Sequence, residues 1–79
     1  MNIIIVLKAR NQTLRLANAL KASGYNARII DTPLSLYGSC TLSVLTDKAG
    51  LDYFYKISYS YPTFVGAYNE TNGKYVRIF

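Results

Sequence analysis

The stretch Asp47-Lys48-Ala49-Gly50-Leu51-Asp52-Tyr53-Phe54-Tyr55-Lys56-Ile57-Ser58-Tyr59-Ser60-Tyr61 supports two incompatible readings, and the fold turns on which one holds. At a helical period, Leu51, Phe54, Ile57 and Tyr61 share one face behind a Thr46 or Asp47 cap. At a period of two, Leu51, Tyr53, Tyr55, Ile57, Tyr59 and Tyr61 alternate with Asp52, Lys56, Ser58 and Ser60, Phe54 being the only break, and tyrosine favours strands. Length decides for a helix, because fifteen residues exceed a usual strand. A helix here also completes a regular β-α-β-β-α-β order with its flanks.

Upstream, residues 3–7 are β-branched and apolar on both alternating faces, which predicts a mid-sheet strand covered on both sides or joined to a partner on one. From 11 to 23 the pattern turns helical, with Thr13, Leu16, Ala17 and Leu20 on one face, Asn11 as N-cap and Gly24 ending the helix in a left-handed turn. Residues 26–31 read as a second strand that Pro33 stops. The stretch 32–39 is rich in turn formers, and 41–45 reads as a third strand. Downstream, 63–69 and 74–79 are strand-like, and Asn72-Gly73 between them signals a hairpin because both residues tolerate positive φ. The whole chain, 1–79, is therefore expected to be one α+β domain: a two-layer sandwich, ferredoxin-like in its βαββαβ order, with an additional C-terminal hairpin strand.

Composition narrows the function. The chain of 79 residues is 51% apolar and 16% charged, which fits a folded globule rather than a disordered tail. At this size only roughly 60% of the unfolded surface is buried, so stability should be modest. Nine basic and four acidic side chains give a formal charge of +5, attractive to anionic partners. The cations are spread along the chain, as solvated surface charge is, so nucleic acid is a legitimate but disfavoured partner. The apolar start is too short to span a membrane and lacks the flanks of a signal peptide. One cysteine cannot form an internal disulfide, and a reducing cytoplasm is the expected location. Without histidine or a second thiol no tetrahedral zinc site can be completed, and neither a metal nor a cofactor is expected.

Any covalent chemistry falls to Cys40. If each element reverses the one before it, the end of the first strand, the start of the first helix and the loop between strands two and three meet at one edge. Lys8, Arg10, Asn11 and Gln12 should then face the 32–40 loop, with the hairpin tip at 72–74 nearby. Two cations beside a helix N-terminus would stabilise a thiolate, or hold a small anion. The plainer account of Cys40 is a small apolar residue packed at a strand start. Pro33 and Gly38 shape the turn on the plain account, and the tyrosines of 53–61 pack a core or an interface more often than they stack bases.

The string Thr32-Pro33-x-x-Leu36-x-x-x-Cys40-x-Leu42, preceded by a strand-helix-strand in which Leu20-Lys21-Ala22-Ser23-Gly24-Tyr25 closes the helix, resembles the small bacterial proteins described as selenium or sulfur carrier-like (DUF3343). The resemblance spans most of 3–45. That family has a charged pair after the proline and a glycine after the cysteine, where this chain has Leu34, Ser35 and Thr41. What it implies is a carrier role: Cys40 as acceptor thiol for sulfur or selenium, Thr32, Pro33 and Gly38 in its loop, Lys8 and Arg10 offsetting negative charge, and donor and acceptor proteins as partners. Such a carrier needs no acid–base dyad, which suits a chain with no visible nucleophile–base pair, phosphate loop or metal spacing. A conventional enzyme is the least favoured class. The rival is a non-catalytic module for protein interaction or weak nucleic-acid binding. The two-sided apolar strand and the tyrosines also suggest a homodimer.

Overall fold

The run at 3–7 becomes the middle strand of a five-stranded sheet. A computed structural model describes residues 2–36 and 41–79, in the order β1 (Asn2–Leu7), α1 (Arg10–Ala22), β2 (Ala27–Asp31), β3 (Leu42–Thr46), α2 (Lys48–Ile57), β4 (Phe64–Thr71) and β5 (Lys74–Arg77). The strand order across the sheet is β2-β3-β1-β4-β5, and every neighbouring pair is antiparallel. Each helix connects two strands that flank a third, so α1 carries the chain past β3 and α2 carries it past β1. The result is α+β, two helices on a five-stranded antiparallel sheet, compatible with a two-layer sandwich.

The pleat divides the side chains of β1 between the two faces. Ile3, Ile5 and Leu7 join Leu16, Ala17 and Leu20 of α1, Leu51 and Phe54 of α2, Val44, Ala67 and Tyr61 in one buried cluster. The buried residues of α1 are the positions that the 3.6-residue period selects, Thr13, Leu16, Ala17 and Leu20. The opposite face carries no helix, yet Ile4 and Val6 are only 3% and 0% exposed. Their cover comes from this chain. Tyr68, cross-strand from Ile4, bends over Gly66, the neighbour of Val6, and Arg77 Nε reaches the same spot. A Cβ at Gly66 would stand 3.1 Å from the Tyr68 hydroxyl, so the absent side chain is what lets the ring lie flat on the sheet.

The disputed segment is a helix for ten residues. Asp47 caps it, accepting the Gly50 amide at 3.0 Å. It ends at Ile57, short of Tyr61, in a 3₁₀ turn over Ser58–Ser60. Pro62 disfavours helical dihedrals at Tyr61, and the Ser58 hydroxyl bonds back to the Tyr55 carbonyl. Tyr61 is still buried beside Phe54, at 5.9 Å between ring centres. At the other end of the chain Asn72 (φ 53°) and Gly73 (φ 79°) form the hairpin turn that their tolerance of positive φ promised.

Two expectations about ends are corrected. Asn11 is not the cap of α1; the cap lies two residues earlier, at Ala9, with no side-chain cap bond. The reason lies in Thr63, whose carbonyl accepts the Lys8 amide and whose hydroxyl accepts the Ala9 amide, leaving the chain to turn at once into α1. Nor does the hairpin tip approach Lys8. Glu70 pairs with Asn2, so the tip stands at the start of β1, a strand length of about 20 Å from its end.

Candidate functional site

The ends of β1 and β2, the beginning of β3 and the first turn of α1 meet at one edge, as the alternation of directions requires. There they enclose an open cleft of about 510 Å³. Lys8 and Arg10 line it from the β1–α1 junction, Asp31 and Thr32 from the end of β2, and Thr41 and Leu42 from the start of β3. Leu34, 72% exposed, hangs over it from the turn that the Leu36 amide closes on the Pro33 carbonyl at 2.9 Å. The structure thus brings Lys8 and Arg10 together with Thr32 and the turn at Pro33. Cys40 and Gly38 lie outside the described residues.

The neck of the loop is built from hydroxyls. The Thr32 amide donates to the Thr41 carbonyl at 3.0 Å, carrying the β2–β3 ladder one pair further. Beneath it the Thr41 hydroxyl donates to Thr32 Oγ1 at 2.8 Å, and Thr32 Oγ1 pairs with Ser43 Oγ at 2.5 Å. Ser43 is fully buried and Thr32 nearly so, so each hydroxyl depends on the next. From α1, the Thr13 hydroxyl lies 3.2 Å from the Ala9 carbonyl and 3.4 Å from that of Leu42, tying the helix start to β3.

The charges are laid out with equal economy. No acidic residue occupies the first turn of α1, so the positive end of the helix dipole opens on the cleft uncompensated by its own helix. Among the described residues the one ion pair within 4 Å is Lys48–Asp52, at 3.3 Å on α2. Lys8, Arg10 and Asp31 therefore share a cleft without closing on one another. The carboxyl groups that are shifted sit elsewhere. Asp47 is held below its ordinary value chiefly by the Gly50 amide and then by Asn26, and Glu70 by the Asn2 amide and the Gly73 N–H.

Gln12 does not face the loop. Its Oε1 accepts from the Thr63 hydroxyl at 2.7 Å and from the Thr63 amide at 3.3 Å, on the side where β4 begins. Asp31, Thr41 and Leu42 belong to the cleft although they read in sequence only as strand residues. Their place follows from the observed pairing of Asp31 with Leu42, which puts the two flanks of the loop side by side in the cleft wall. Among the described residues no helix is long and apolar enough to cross a membrane, and no group of acidic or thiol ligands gathers as a metal site would need.

Residues 2–58, which contain β1 through α2 and every residue of the cleft, match the family model described as "Putative Se/S carrier protein-like". No curated protein and no solved structure matches the chain.

Proposed function

The chain belongs to the Se/S carrier protein-like family, and on that premise we propose that it is a sulfur or selenium carrier whose acceptor atom is the Cys40 thiol. The observation that supports this most is the cleft itself: Lys8, Arg10 and the open end of α1 gather against Thr41, the residue bonded to Cys40. Positive charge without a paired carboxylate is what lowers a thiol pKa and steadies a persulfide anion. The step requires nothing more. The Cys40 thiolate attacks the outer sulfur of a donor R–S–SH, a new S–S bond forms as the donor's S–S bond breaks, and R–S⁻ departs. Oxidation level is conserved, and the same exchange run toward an acceptor thiol discharges the carrier. Selenium in place of the outer sulfur follows the same path.

In this reading Thr32 and Pro33 fix the loop neck, Gly38 gives the loop its turn, and Lys8 and Arg10 stabilise the charge. The antiparallel strand order supports reading the layout without β5 as a ferredoxin-like split β-α-β sandwich. Donor and acceptor proteins act from a reducing cytoplasm, where an unpaired thiol persists. Alkylation of the folded protein at graded pH is the test. The thiol should titrate below the free-cysteine value of about 8.5, and Lys8→Gln with Arg10→Gln should raise it. A wild-type thiol that titrates at or above that value, or resists alkylation until the chain unfolds, refutes the carrier.

A further inference from the structure

A bare sulfur or selenium atom needs a space on the order of one water molecule's share, roughly 30 Å³, and the cleft of about 510 Å³ is far larger. Its size is that of a small-molecule site. Its charges also exceed what an anion alone calls for, since Asp31 stands in the wall with Lys8 and Arg10 and leaves the cleft net positive but of mixed sign. Opposite charges that face one space yet stay more than 4 Å apart are complementary to a ligand that carries both charges itself. We infer that the cleft is a subsite for a zwitterionic α-amino acid that is itself the donor R–S–SH of that exchange, a cysteine persulfide or its counterpart with selenium as the outer atom. This deepens the carrier reading and rests on it for the identity of the cargo, but the binding it requires does not depend on Cys40.

The fit is specific by group. The ligand carboxylate lies toward Lys8 and the guanidinium of Arg10, whose planar fork suits a carboxylate, at the end of α1 where the dipole also favours it. The ligand ammonium lies toward Asp31. A short side chain rests on Leu34 and Leu42, directed at Thr41. A peptide-bound amino acid lacks the free ammonium or the free carboxylate, so the pair of charges selects a free one, which is then the immediate donor, and a donor protein acts by supplying it.

The experiment uses the full chain as Cys40→Ser, so that no transfer or oxidation intervenes, and titrates it with S-methyl-L-cysteine, which cannot donate sulfur. Amide shifts in a two-dimensional NMR spectrum should saturate in the millimolar range at Lys8, Arg10, Asp31 and Thr41. N-acetyl-S-methyl-L-cysteine and 2-(methylthio)ethylamine should each bind about fivefold more weakly or worse, and Asp31→Asn and Lys8→Gln should each weaken the parent ligand by a similar factor. Lys8 and Asp31 are exposed, so their replacements keep the fold. Asp31→Asn should bind the acetylated ligand at least as well as the unsubstituted chain does. Acetylated and free ligands binding alike would show that the cleft reads only an anion and overturn the inference, as would unmoved amides at tens of millimolar. Binding found together with an unperturbed Cys40 thiol would uphold the subsite while sinking the carrier; a lowered thiol pKa without binding would do the reverse.

Discussion

Replacing Thr32 with valine keeps the shape of the loop neck and deletes one oxygen. That oxygen is the one partner of the fully buried Ser43 hydroxyl among the described residues, and it also receives the Thr41 hydroxyl. A buried hydroxyl stripped of its partner costs about 1–3 kcal/mol. The half-buried Thr41 can turn to water and loses less. The extra methyl of valine returns at most about 0.8 kcal/mol of apolar burial. The net destabilisation of Thr32→Val is thus about 1–2 kcal/mol, and with a urea slope near 1 kcal/mol/M for a chain of this size the midpoint falls by about 1–2 M. The same arithmetic predicts a rescue. Adding Ser43→Ala to Thr32→Val removes the stranded hydroxyl, and the double variant should be more stable than Thr32→Val alone, because apolar replacement of both partners is nearly neutral. Urea unfolding followed by circular dichroism measures all three. A Thr32→Val chain as stable as the parent, or a double variant no better than it, would show that the hydroxyl chain is not what closes the neck.

Gly50→Ala should destabilise even though alanine is the better helix former by about 0.5–1 kcal/mol. The new Cβ would overlap Thr46 Oγ1 and stand 3.1 Å from its Cβ, and Thr46 cannot swing clear without losing its bond to the Asn26 carbonyl. Overpacking of about 1–3 kcal/mol wins, and a melting temperature at or above the parent's would contradict it. Asp47 gives a pH dependence of known sign. Its carboxyl is lowered in the fold, so its stabilising effect is complete above the ordinary value near 3.9 and is lost as pH falls through the folded value. Asp47→Asn keeps a capping side chain but cannot titrate, so between about pH 5 and 2 its melting temperature should fall less than that of the parent. Parallel curves would exclude the cap as the acid-sensitive group.

Local patterning carried the fold a long way. The helix face Thr13-Leu16-Ala17-Leu20 and the Asn72-Gly73 turn are set by neighbours within a few positions, and the structure has them where periodicity and φ tolerance place them. The ambiguous segment became a helix because its alternation buys nothing once Leu51 and Phe54 can reach the core under β1. Misses came from contacts distant in sequence. Thr63 pulls the start of α1 forward and captures Gln12, and no pattern around residue 11 announces a partner at 63. Direction reversal alone brought Lys8 and Arg10 to the loop, whereas the role of Asp31 needed the register of β2 against β3. The hairpin tip was misplaced for the converse reason: an added strand lengthens a topology without saying which end it caps.

Because β3 slots between β1 and β2, the two walls of the cleft are not neighbours until the third strand has arrived. A nascent polypeptide that has made only its opening strand, helix and second strand holds Lys8 and Asp31 on pieces with nothing between them. The arrival of β3 is also the arrival of Thr41, whose predecessor in the chain is the lone cysteine. The charges and the strand that follows the cysteine are therefore mustered in one event, and an incompletely assembled chain holds the two walls of the cleft apart.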